Sequence, residues 1–338
     1  MSSRLIRAFS LLAALFAPAL ASAHEVYVLS PAQIQLAMQT PAFNELSVMQ
    51  TYLSQVAFWA FIVTLTIIIV FFISIIRPLE RWLYPVLARG RRYAEPVARI
   101  TIGISFLAAA YYGATYGPEL PIAATFGGAA DAVRVILVII GAMLVAGVYT
   151  EIAALVALVL FATTVYFHGI YMLTYTNYFG EIILLLILGS WRGLGALQRK
   201  LAPYSFAFLR VCFGISLFYA SFYAKIMHNN LALMVASLPL AGHTQSLARV
   251  FGFEPHFLVF GAALIELVLA TFFILGLEIR FASLFLLFWL SLSLWYFGEA
   301  VWPHVILIGI PIAFILYGYD RYSLEGRFFK RNGREPVL

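Results

Sequence analysis

The chain has 338 residues, 63% of them hydrophobic and only 11% charged, with a mean hydropathy of +0.95; soluble domains carry about a quarter charged residues, so a single water-soluble core is excluded. The net charge of +6 comes from arginines in short runs between apolar segments, a pattern that orients a membrane protein and gives no nucleic-acid signal. One cysteine, Cys212, excludes an internal disulfide, a CxxC redox pair, a CxxCH haem attachment and a Cys-ligated iron–sulfur cluster, so a redox role needs a diffusible or partner-borne cofactor.

Residues 1–23 read as a secretory signal: Arg4 and Arg7, a short apolar run, then Ala21-Ser22-Ala23, with His24 first after the cut. Residues 24–50 form an external segment too polar to cross, with Ser30-Pro31 as a start signal for a short surface helix. Apolar stretches follow at 52–76, 100–117, 132–149, 152–170, 174–191, 205–227, 257–277, 281–298 and 304–319, which predicts nine membrane helices. Arg77, Arg81, Arg89, Arg91 and Arg92 follow the first span, Arg192, Arg199 and Lys200 the fifth, and Arg321, Arg327, Lys330, Arg331 and Arg334 the ninth. If the spans alternate, all three clusters share one side. The expectation is therefore a bacterial inner-membrane protein with a periplasmic N-terminus and a cytoplasmic tail, 327–338. The connection 228–255 contains LALMVASLPLAG, which is too short to cross and is expected to lie on or re-enter the bundle mouth.

The sequence carries an internal repeat. RITIGISF from Arg99 recurs as RVCFGISL from Arg210, which sets Gly103 against Gly214, Ser105 against Ser216 and Tyr112 against Tyr223 at an offset of 111. AGVYTEIA at 146–153 matches LGLEIRFA at 275–282 at an offset of 129, because the second copy has the longer external loop. The reading is an all-α integral membrane protein: a first helix and loop over 51–95, then two four-helix units, 96–200 and 201–326, that bury small-residue faces against each other.

The second unit, with Arg210, Gly214, Lys225, Glu266, the Gly276 turn, His304 and a closing YDRYSL at 319–324, resembles the DoxX family of four-helix membrane proteins. The resemblance is good over about 206–326 and faint over 96–200. It departs where Ser221-Phe222-Tyr223-Ala224 replaces the family's Gly-x-x before the lysine and where Glu325 stands for the usual Asp. It implies a redox-linked role with quinone as cofactor and an oxidoreductase partner subunit, beside contact with membrane lipid.

Ionisable groups inside spans cost roughly 2.5–3.5 kcal/mol on insertion scales, so they lead the search for a site. Glu266 and Lys225 are the candidate catalytic pair, with quinone contacts from His304, Glu299, Glu181, Tyr223 and Arg210. Glu266 is the deepest charge-capable group; without a cation nearby it would be neutral and serve as proton carrier, or it is a structural carboxyl between helices. Lys225, near the external end of its span, either snorkels outward or turns in toward Glu181 or Glu299; direct contact with Glu266 requires bridging about 10 Å of depth at 1.5 Å per residue, a gap that helix tilt could close. The first copy has Ala114 and Leu137 at the two positions, so that half is expected to serve only as packing partner. His24, His168, His228, His243, His256 and His304 all fall on the external side, but without HxxH, HxxxH or HExxH spacing no metal site is expected. A non-enzymatic scaffold, an assembly factor or a proton-coupled transporter is the alternative.

Overall fold

Helices form where long apolar runs meet glycine, proline or polar breakers. In chain order they are α1 (Pro31–Gln39), α2 (Glu45–Leu53), α3 (Val56–Gly90), α4 (Ala94–Tyr112), α5 (Ile122–Phe126), α6 (Ala130–Ala146), α7 (Thr150–His168), α8 (Thr176–Leu188), α9 (Gly195–Leu201), α10 (Ser205–Phe222), α11 (Asn229–Ser237), α12 (Leu247–Phe251), α13 (Pro255–Leu275), α14 (Ile279–Phe297) and α15 (Val305–Tyr317). The computed structural model describes residues 29, 31–43, 45–189, 195–239, 245–297 and 301–329. The expected signal 1–23, His24, His243 and Glu299 lie outside the described residues.

Among the described residues each expected apolar segment is helical, at α3, α4, α6, α7, α8, α10, α13, α14 and α15. Six runs are long and apolar enough to cross a membrane: Phe58–Glu80, Ile122–Ala146, Thr150–Leu188, Gly195–Met227, Pro255–Leu275 and Ile279–Tyr296, with Trp302–Tyr317 apolar but shorter. Thr150–Leu188 holds two of the expected spans, joined by the 3-10 turn Gly169–Tyr175, and α4 falls outside the set. The fold is thus multi-pass and helical, but this measure does not return nine crossings. A second difference is that α3 continues for 35 residues through Pro78 and Pro85, about 52 Å at 1.5 Å per residue, where a loop was expected from Arg77. The two prolines are two turns apart and both exposed, so the missing amide bonds fall along one outer side of the helix.

Equivalent residues of the two halves make equivalent contacts. Arg99 of α4 donates to the carbonyls of Leu144 and Val145, and Arg210 of α10 to those of Phe273 and Ile274. The donors are 111 residues apart and the acceptors 129, the same two offsets the sequence contains. A Cβ on Gly103 would stand 2.9 Å from the Gly141 carbonyl oxygen, and one on Gly214 2.9 Å from that of Ala270, so the first two helices of each half touch backbone to backbone. The turns after them place Gly147 and Gly276 at φ of 72° and 70°, with Tyr149 and Glu278 also left-handed at 49° and 44°.

The halves interlock. Gly180 of α8 seats against Cys212 of α10, and Gly309 of α15 against Thr101 of α4. The first helix of each half therefore packs on the last helix of the other, which joins them more intimately than two four-helix bundles set side by side. At one end of the bundle, the cap end, Leu29 and Ala37 beside and on α1 pack with Leu231 and Val235 of α11. Asn229 exchanges hydrogen bonds with the Phe43 backbone at 3.1 and 2.9 Å, and Asn230 donates to the carbonyls of Thr40 and Pro41. These bonds tie the segment before α3 over the second half.

Candidate functional site

Lys225 lies in Tyr223–Met227, a single π-turn that continues α10 at the cap end. A π-turn carries an extra residue, about 100° of helical rotation, so it re-aims the side chains that follow it. Lys225 is 4% exposed and Glu266, in α13, 5%; Nζ and Oε2 are 2.9 Å apart. The outward-snorkelling alternative is thereby corrected, and the condition attached to a neutral Glu266, that no cation reaches it, is not met. The expected gap in depth assumed regular helices on parallel axes. It closes because α10 and α13 are in contact and the π-turn directs the lysine's long stem inward and down.

The pair is not a plausible source of stability. Desolvating two charges costs several kcal/mol each, and their attraction at best offsets it. The first two helices of the first half are in contact as well, and there the corresponding positions are Ala114, in the turn after α4, and Leu137, in α6, both buried. The fold thus does not require an ion pair there.

Aromatic rings border the lysine's turn. Tyr223 contacts Tyr171 edge-on at 5.1 Å between centroids and His228 at 4.6 Å. Partial burial holds the His228 imidazole below its usual range, so near neutral pH it adds no charge beside the pair. His304 is 1% exposed in the turn Trp302–His304 that opens α15, where Trp302 stacks on Tyr112 at 5.3 Å. The far side of α13 borders an apolar groove shared with α3 and α14 and lined by Leu65, Ile69, Ile265, Val268, Phe272 and Phe285.

Two of the expected contact residues lie elsewhere. Glu181 is buried in α8 next to Gly180, which meets α10 at Cys212; that is thirteen residues below Lys225, about 20 Å at the helical rise. Arg210 is fifteen residues from Lys225, about 22 Å away at the opposite end. Its guanidinium is committed to Asp320 at 2.7 Å and to two carbonyls of α13, so it clamps the closing segment to the helix.

Two polar clusters escaped the sequence reading. At the cap end, Glu119 accepts hydrogen bonds from Tyr171, at 3.1 Å, and from Tyr175. The first half thus has a polar cluster of its own; Glu119 reads in sequence as a loop residue, and the signal that could have found it is the density of tyrosines at 166–178. At the arginine end, Tyr319 donates to Glu80 at 3.3 Å and Arg280 approaches the same carboxylate at 4.0 Å, tying α3 to the second half. Burial, and then the Glu80 charge, hold the Tyr319 phenol well above its usual range, so it stays a donor.

The sequence pattern of the DoxX family matches residues 205–299, which run from α10 to the end of α14 and contain both Lys225 and Glu266. No curated protein and no solved structure matches the chain.

Proposed function

We propose that this chain, a multi-pass membrane protein carrying a DoxX domain over residues 205–299, is a quinone-linked component of a redox assembly in the bacterial inner membrane, with the cap end outside and the arginine end in the cytoplasm. The observation that carries the reading is the buried Lys225–Glu266 pair at 2.9 Å, placed where the first half has Ala114 and Leu137. A polar group that the fold does not require, kept in an apolar bundle, is a functional lead.

The residues fit the group. An ammonium offers donors to a carbonyl, a carboxylate accepts from a hydroxyl, and the apolar groove on α13 suits an isoprenoid chain. A bound quinone supplies two-electron, two-proton chemistry. Lys225 would orient the ring oxygen, the Glu266 carboxylate would accept from a ring hydroxyl, and Tyr223 with His228 would shield the turn from water. The electrons come from a partner subunit, in keeping with a chain whose cysteine count leaves it no iron–sulfur or haem-attachment ligands.

The test is to purify the full chain in detergent, extract it for quinone, and titrate it with a short-chain ubiquinone. Co-purified quinone together with a rise in the melting temperature supports the reading; absence of both overturns it. A scaffold reading is favoured by one observation, the interlocking of the halves through Gly180 and Gly309. It predicts that partner assembly survives replacement of both Lys225 and Glu266.

A further inference from the structure

Glu181 has no part in the ion pair, yet it is the most completely buried acid in the described residues. It is 0% exposed, and neither carboxyl oxygen has a hydrogen-bond partner among them. An unpaired carboxylate in such a place bears the full cost of desolvation, whereas the protonated acid does not. Its counterpart in the second half, 129 residues on, is Ile310, which is also buried. An apolar residue thus satisfies the same packing, and the acid is an addition to the fold.

A row of phenols leads from Glu181 to the cap end. Tyr178, one turn up α8 and 1% exposed, directs its hydroxyl to the Tyr116 carbonyl at 3.4 Å and has Ser105 of α4 within hydrogen-bonding reach. The Tyr178 ring is 4.9 Å from that of Tyr116 and 6.1 Å from that of Tyr175. Tyr175 in turn donates to Glu119, a half-buried residue whose Oε2 is itself buried. On the other side α8 continues through Ile182, Ile183, Leu184, Leu185, Leu186, Ile187 and Leu188 without a polar side chain. Along α8 itself, polar side chains near Glu181 thus lie only on its cap side.

Among the described residues the titratable groups around Glu181 are few. They are Tyr178 on its own helix, Tyr175 in the turn before it, Tyr116 and Glu119 in the connection after α4, and Cys212 on α10 against Gly180. The acid of α7, Glu151, sits at that helix's opposite end against Gly189. Arg210, the nearest cation along α10, is held by Asp320.

We propose that Glu181 is a proton-binding site separate from the Lys225–Glu266 pair, loaded and emptied from the cap end through Glu119, Tyr175 and Tyr178. In loading, a proton reaches Glu119 from the cap end, the Tyr175 and Tyr178 hydroxyls turn from Glu119 and from the Tyr116 carbonyl, where they rest, so that each receives one proton and passes one on, and the Glu181 carboxylate gains one. The phenols end as they began, and emptying is the reverse. The site is a proton well, closed toward the arginine end by the apolar run of α8.

Infrared spectroscopy of the full-length protein in lipid tests this. The wild type should show a protonated-carboxyl C=O band at neutral pH that is missing in Glu181→Gln and persists when Lys225 and Glu266 are both replaced. Transfer to heavy water should shift the band, at least about tenfold more slowly in Tyr178→Phe, as expected when a positioned proton-transfer group is removed. A spectrum unchanged by Glu181→Gln, or an exchange rate unaffected in both Tyr178→Phe and Glu119→Gln, overturns the proposal. If Glu181→Gln does not fold, wild-type protein is treated with dicyclohexylcarbodiimide, which reacts with protonated carboxyls from the lipid phase. An adduct mapped to Glu181 supports the site, and an unmodified Glu181 refutes it.

Discussion

Lys225 and Arg210 stand on one helical stretch and solve burial differently. Arg210 spreads its planar fork over Asp320 and two carbonyls, a bidentate task suited to guanidinium. Lys225 meets Glu266 as a point charge. Removing one member of a buried pair strands the other, so Glu266→Leu alone should lower unfolding stability by about 3–5 kcal/mol, measured by denaturant unfolding in mixed micelles; a loss under 1 kcal/mol would show that the lysine finds water. The sequence displayed both members of each pair but not the pairing. Depth was counted along straight helices, and a π-turn at Tyr223–Met227 leaves no pattern in the residues that a hydropathy count would detect. Glu181 was visible as an acid inside a span. That neither oxygen has a hydrogen-bond partner among the described residues was not, because that depends on which neighbours turn toward it.

At the scale of elements, the apolar segments were legible because hydrocarbon leaves few choices: backbone groups must pair internally, so each long apolar run becomes helix. The end of α3 was not, since the apolar run stops at residue 76 and arginines follow, while the helix continues through Pro78 and Pro85 on its exposed side. The Arg and Gly positions were legible: Arg99 and Gly103 return as Arg210 and Gly214, and their partners in the structure stand at the second offset. That equivalence predicts equal sensitivity. Gly103→Val and Gly214→Val each force a side chain into a backbone-to-backbone contact, and each should cost on the order of 1–3 kcal/mol, the range for overpacking. Comparable drops in melting temperature for the two variants are expected; tolerance at either position would break the equivalence.

Across the whole molecule the two halves share a skeleton and differ in what they bury. The second keeps Lys225 with Glu266 where the first has Ala114 and Leu137; the first keeps Glu181 where the second has Ile310. The interlock of α4 with α15 and of α10 with α8 was hidden in the sequence, because small residues mark a close contact without saying which helix supplies the other side. The central claim is that the ion pair is carried by a fold that stands without it. The most direct measurement is the melting temperature and quinone content of Lys225→Ala/Glu266→Leu, which gives the second half the residues of the first. The account predicts a melting temperature equal to or above the wild type with quinone lost. A double variant that melts well below the wild type while retaining its quinone would contradict it.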